Sequence, residues 1–116
     1  MVRRILPSAL LMALSSTGFA AGNTAWAVPT QIDVTYAGVM VYGAFGNVGG
    51  CSIADRFFMP VNTGQYKEIY ATLMLAYSTG KEVSAYVNAC DAVNWYAAPS
   101  VTFNYMNNAG ILYVRN

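Results

Sequence analysis

The chain has 116 residues, with six Lys or Arg, five Asp or Glu and no histidine, for a formal net charge of +1. Cations this few and this scattered do not make the basic surface that displaces counterions from phosphates, which excludes nucleic-acid binding. The absence of histidine also removes the usual general base and the commonest metal ligand, so no cofactor is implied.

The chain opens Met1-Val2-Arg3-Arg4 and continues into an apolar run, Ile5 to Leu14, broken only by Pro7 and Ser8. That run is too short to cross a bilayer as a helix. A basic start, a short apolar centre and a small-residue exit describe a secretory signal. Two exits fit, Gly18-Phe19-Ala20 and Ala25-Trp26-Ala27, and the second is closer to the small-x-small pattern. Residues 1–27 are therefore read as a signal peptide, with cleavage after Ala20 as the alternative, and residues 28–116 as a single small disulfide-bonded domain. The expected destination is secreted or periplasmic, without stable membrane insertion after cleavage. Removing Arg3 and Arg4 leaves Arg56, Lys67, Lys81 and Arg115 against Asp33, Asp55, Glu68, Glu82 and Asp91, a near-neutral balance with no polybasic membrane patch.

In chain order, Ile32, Val34 and Tyr36 alternate with Asp33 and Thr35, and Val39 to Tyr42 continue after Gly38. This predicts one long strand with a bulge or phase change at the glycine, or two short strands. Gly43 to Gly50 is turn material, and Arg56 to Val61 reads as a strand that stops pairing at Pro60. From Gln65 to Thr79 the period becomes helical: Tyr66, Ile69, Tyr70, Leu73 and Tyr77 form one apolar stripe. Thr63 is placed to cap its start and Gly80 to end it in the left-handed conformation. Ala71, Met74 and Leu75 make the second face partly apolar, and Ala71 and Leu75 are the candidate oligomer interface. Val83, Ala85 and Val87 alternate next, then Val101, Phe103 and Tyr105, and Ile111 to Val114 makes a last short strand. The expected class is α+β, mostly β: a small five-stranded barrel of the oligonucleotide/oligosaccharide-binding type, or an open antiparallel sheet carrying one helix.

Cys51 and Cys90 are the only cysteines, and in an exported chain they are expected to pair. Without histidine or a third cysteine there is no zinc-type ligand set, and no metal site is assigned. The mature chain buries only about 60 to 65% of its unfolded surface, too little to hide all of its aromatic rings. Some of those rings are therefore left for solvent, a ligand or a second copy of the chain. The loop from Asn88 to Pro99 holds Asn94-Trp95-Tyr96, which joins two flat aromatic faces to an amide that both donates and accepts hydrogen bonds. That combination suits a sugar ring, and these three residues are the candidate ligand site.

The run Thr72-Leu73-Met74-Leu75-Ala76-Tyr77-Ser78-Thr79-Gly80-Lys81-Glu82-Val83 resembles the junction between the long helix and the next strand in binding subunits of cholera-type enterotoxins. The shared pattern is T-L-x-x-A-Y-x-T-x-x-x-V. Tyr77-Ser78-Thr79-Gly80 with Val83 is also similar to the equivalent turn of subtilase-type and pertussis-like binding subunits. The resemblance implies a five-stranded barrel, a ring of subunits whose helices line a central pore, and glycan binding on the outer surface. Cys51 stands nearer the helix than the first cysteine of those subunits, and no glycan-contacting residue is carried over by position.

For catalysis, paired cysteines leave no thiolate, and no catalytic residue is assigned. A carboxylate pair drawn from Asp55, Glu68, Glu82 and Asp91 is the remaining chemical route, and Ser52, Ser78 and Ser84 have only Lys67 or Lys81 as activating bases. Three readings follow: a secreted non-enzymatic binding subunit directed at a glycan or receptor and assembling with its own copies in a ring; a free-standing periplasmic or envelope protein that binds a partner protein; and a small hydrolase.

Overall fold

A computed structural model describes residues 21–93, 96, 100–108 and 110–116. Among these the chain is mostly β: β1 (Gly22–Asn23), β2 (Gln31–Thr35), β3 (Gly38–Tyr42), β4 (Ile53–Pro60), α1 (Tyr66–Thr79), β5 (Glu82–Val87), β6 (Ala89–Asp91), β7 (Phe103–Tyr105) and β8 (Leu112–Arg115).

The strands form two sheets and do not close into one barrel. A five-stranded sheet has the order β2-β3-β4-β7-β6, and a three-stranded sheet has the order β1-β5-β8. The larger sheet is mixed, because β4 and β7 run parallel while its other neighbours are antiparallel. That parallel pair follows from connectivity: the chain leaves β4, crosses through α1 and β5, and returns to β4 only after a long excursion, as parallel pairing requires. The three-stranded sheet is antiparallel throughout.

Of the two expectations for the segment around Gly38, the structure has the two short strands, joined in a tight hairpin, and not the single bulged strand. Gln31 faces Tyr42 and Thr35 faces Gly38, with only Tyr36 and Ala37 at the turn. Gly38 holds φ of 150°, and a Cβ there would stand 2.2 Å from the Met59 carbonyl oxygen, so no other residue fits. The Thr35 hydroxyl donates to the Gly38 carbonyl and accepts from the Ala37 and Gly38 N–H groups, which closes the turn.

α1 ends as expected, with Gly80 in the left-handed region donating its N–H to the Ala76 carbonyl. Its start differs. The N-cap is Gln65, itself left-handed and making no side-chain cap, while Thr63 is buried and its hydroxyl donates to the Asn107 carbonyl. The reversal after Pro60 turns Thr63 toward the 106–107 backbone and away from the helix axis, where it secures a different connection. The buried stripe is Ile69, Leu73 and Ala76, with Tyr66 and Tyr70 half-buried, whereas Tyr77 is half exposed. Positions 69, 73 and 76 keep the helical spacing, and the small Ala76 lets the helix approach its neighbours; Tyr77 lies about 100° further round.

Alternation along β3 and β4 sends side chains to two cores. Val39, Val41, Phe57 and Met59 face Ile69, Leu73, Ala76, Val83, Ala85 and Val87, so the helix and the smaller sheet cover one face of the larger sheet. Met40 and Phe58 point to the opposite face, where Val93, Tyr96, Val101 and Phe103 pack over them. The second core is covered by Val93, Tyr96 and Val101, which lie between β6 and β7 in sequence. Cys51 and Cys90 are bonded, with Cα atoms 5.5 Å apart, and this ties the approach to β4 to β6.

Candidate functional site

The loop after β6 is fastened on both sides. On one side Cys90 is bonded to Cys51, whose backbone N–H and carbonyl are both held by the Asn47 amide. On the other side Tyr96 packs its ring on Phe103, 5.8 Å between centroids, and its hydroxyl donates to Asp33 Oδ2 in a short hydrogen bond. Asn94 and Trp95 lie outside the described residues. Of the three candidate ligand residues, Tyr96 is therefore the one whose surroundings are defined, and its hydroxyl is engaged by the sheet.

Asp33 is the centre of this attachment. Strand alternation puts it on the face of β2 opposite Ile32, and hairpin pairing sets it across from Met40 with Tyr42 diagonal to it. The Tyr42 hydroxyl donates to the same Oδ2 at 2.9 Å, and Gln31 Nε2 donates to Oδ1 at 2.8 Å. Burial pushes the Asp33 carboxyl upward, but the hydrogen bonds from Tyr96, Gln31 and Tyr42 and the charge of Arg56 outweigh it and hold the group below the ordinary aspartate value. Burial and the Asp33 carboxylate together raise both tyrosine hydroxyls above the usual phenol range, Tyr96 far more than Tyr42. The cluster is thus built to stay as one carboxylate and two neutral phenols.

Tyr42 continues the cluster along the sheet. The Arg56 guanidinium lies over its ring at 4.4 Å, and Arg56 Nε is buried without a hydrogen-bond partner among the described residues. The neighbouring Asp55 has φ of 63°, a left-handed conformation uncommon outside glycine, and it sits where the β4/β7 register slips between Ile53 and Phe57. Its backbone N–H donates to the Gly46 carbonyl and its carboxylate accepts from the Gly46 N–H, so the bulge clasps the loop after β3. Beside this bulge Thr30, Tyr42, Gly43, Ala44 and Asp55 line an open groove of about 360 Å³. Through Tyr42 and Asp33 the groove is linked to Tyr96.

A second open groove, about 450 Å³, lies between α1 and the segment before β8, lined by Gln65, Glu68, Ile69, Thr72 and residues 110–112. On the outward side of α1, Ala71 and Leu75 are exposed, Leu75 by 52%. The hydroxyls of Thr72, Ser78 and Thr79 donate back to the carbonyls of Glu68, Met74 and Leu75, so this face is less polar than its sequence suggests.

The other groups weighed for catalysis are dispersed. Glu82 pairs with Arg115 at 2.8 Å on the exposed β5/β8 edge, Glu68 lines the helix groove, and Asp91 ends β6. Ser52 exchanges hydrogen bonds with Thr102, Ser78 bonds within its helix, Ser84 donates to the Thr24 carbonyl, and Lys81 bonds Asn116.

Asp33, Tyr42 and Arg56 were not singled out by sequence reasoning. The signal was present in part: an acid in an otherwise apolar alternating strand marks a face, but joining it to Tyr42, Arg56 and Tyr96 requires the hairpin register and the return of the loop. Comparison with family models, with curated proteins and with solved structures finds no match.

Proposed function

We propose that this chain is a secreted, non-enzymatic binding protein that presents Asn94 and Trp95 to a glycan or glycosylated receptor. The observation that carries the reading is that Cys90 and Tyr96, on either side of them in sequence, are both fastened to the sheet. A binding loop must lose little entropy when it engages its ligand, and a frame that fixes both flanks removes most of that cost beforehand. The disulfide fixes one flank and Asp33 fixes the other through Tyr96. Tyr96 then serves as the anchor, Trp95 as the stacking face and Asn94 as the hydrogen-bonding amide. The adjoining groove supplies the Thr30 hydroxyl, the Asp55 carboxylate and the edge of Tyr42, groups suited to sugar hydroxyls. The test is a glycan-array screen of the oxidised protein followed by Trp95→Ala. Binding lost with an unchanged thermal midpoint supports the site; unchanged binding removes the loop from it, and a protein with no glycan ligand at all fails the reading.

Assembly into a ring belongs to the same proposal. The support is the outward face of α1, where Ala71 and Leu75 are exposed and the neighbouring hydroxyls are already satisfied. Leu75→Glu is expected to leave the fold intact and to reduce the mass seen by native mass spectrometry to that of a single chain. A wild-type protein that is already monomeric would favour the free-standing envelope protein, with the same loop directed at a partner protein.

A further inference from the structure

We propose that the exported chain keeps Gly22 to Ala27 as part of its folded domain, and that its leader is removed after Ala20, not after Ala27. The proposal rests on reading the start of the chain as a leader and is independent of what the domain binds.

The segment is built into the smaller sheet along its length. Gly22 and Asn23 pair with Val87 and Tyr86. The Thr24 N–H donates to the Ala85 carbonyl at 2.8 Å, and the Thr24 hydroxyl accepts from the Ala85 N–H at 3.0 Å. The buried Ser84 hydroxyl donates to the Thr24 carbonyl at 2.7 Å. Ala25 donates to the Phe45 carbonyl, and Ala27 exchanges two backbone hydrogen bonds with Val83. Thr24 and Ala27 are only 4% and 7% exposed, and Ala27 belongs to the main core. Trp26 receives the Arg115 guanidinium at 4.1 Å and packs near Tyr113, which joins this segment to β8.

Cleavage after Ala27 would strip the Gly22–Thr24 and Ala27 partners from β5, and would remove the Ala25 contact with Phe45 and the Trp26 contacts with β8. It would leave the buried Ser84 hydroxyl and the backbone groups of Val83 and Ala85 without acceptors or donors, each a desolvated polar group with nothing to bond. It would also expose one side of a strand whose Val83, Ala85 and Val87 are fully buried. Cleavage after Ala20 removes none of them. The leader's own anatomy agrees: Gly18-Phe19-Ala20 follows closely on the apolar run that ends at Leu14, as a small-residue exit should, whereas Ala25-Trp26-Ala27 stands a full strand further on. The second small-x-small motif is therefore part of the folded domain: Ala27 is buried against β5, and the exposed Ala25 holds the Phe45 carbonyl through its N–H.

The experiment is N-terminal sequencing, with intact mass, of the protein exported from a bacterial host under its own leader. The expected first residue is Ala21. A first residue of Val28, or any other start beyond Ala21, overturns the proposal while leaving the leader reading in place. A start at Met1 overturns both. Ala20→Leu in the same host is expected to accumulate unprocessed chain, and processing that continues undisturbed in that variant also overturns the proposal.

Discussion

The fastening of the loop by Asp33 and Tyr96 can be measured directly. Tyr96→Phe removes one hydroxyl and leaves the ring on Phe103, and Asp33→Asn removes the charge while keeping an oxygen that accepts. A hydrogen bond to a charged group contributes about 1.5 to 3 kcal/mol when well shielded. Both side chains are only half-buried, so solvent screening brings the expected coupling to about 1 to 2 kcal/mol. The assay is a double-mutant cycle by urea denaturation, with Tyr42→Phe as the second arm because its hydroxyl shares the same Oδ2. The pH dependence fixes the sign. Asp33 is held below its ordinary value of 3.8, so its contribution is complete above that value and is lost as pH falls through the lower folded value. Tyr96 is raised above its ordinary 10.0, so its contribution is complete below pH 10 and declines as pH rises beyond it. The coupling should therefore be flat across neutral pH and shrink at both extremes. A coupling below about 0.3 kcal/mol at pH 7 would refute the anchor, since distant independent sites show that much by chance.

Replacing Cys51 and Cys90 together by serine should lower stability by roughly 4 kcal/mol, because the bond closes a loop of 39 residues in sequence separation. The same loss should appear when the wild type is reduced, read as a shift in urea midpoint; equal midpoints for oxidised and reduced protein would contradict it. Leu73→Ala, at a position 1% exposed between sheet and helix, should cost about 2 to 5 kcal/mol. Leu75→Glu, two residues along the same helix, should cost under about 0.5 kcal/mol in the monomer. Comparable losses from the two variants would mean that the assignment of inner and outer helix faces is wrong.

Much of the secondary structure was legible because it is written in short-range periodicity. The stripe Ile69 and Leu73 with Gly80 behind it specifies α1 and its end, since 3.6-residue spacing and a left-handed glycine are local requirements. The alternation in Ile32–Thr35 and Val83–Val87 likewise marks strands, and the chain's two cysteines have one possible partner each. The start of α1 was misread because Thr63 satisfies a backbone carbonyl 44 residues away in preference to the helix beside it. The Gly38 region stayed open between one bulged strand and two short ones, because strand alternation looks the same on either side of a two-residue turn.

Local pattern was enough to read the helix, most of the strands and the disulfide, because these depend on residue type and on neighbours within a turn or two. Only the tertiary structure decided that the strands divide into two sheets with a parallel pair, that Ala27 packs in the core, and that Asp33, Tyr42, Arg56 and Tyr96 meet. Those facts depend on register and on the path of long connections. Many paths share one pattern of periodicity, and the choice among them is made by which faces can be covered and which buried polar groups can find partners.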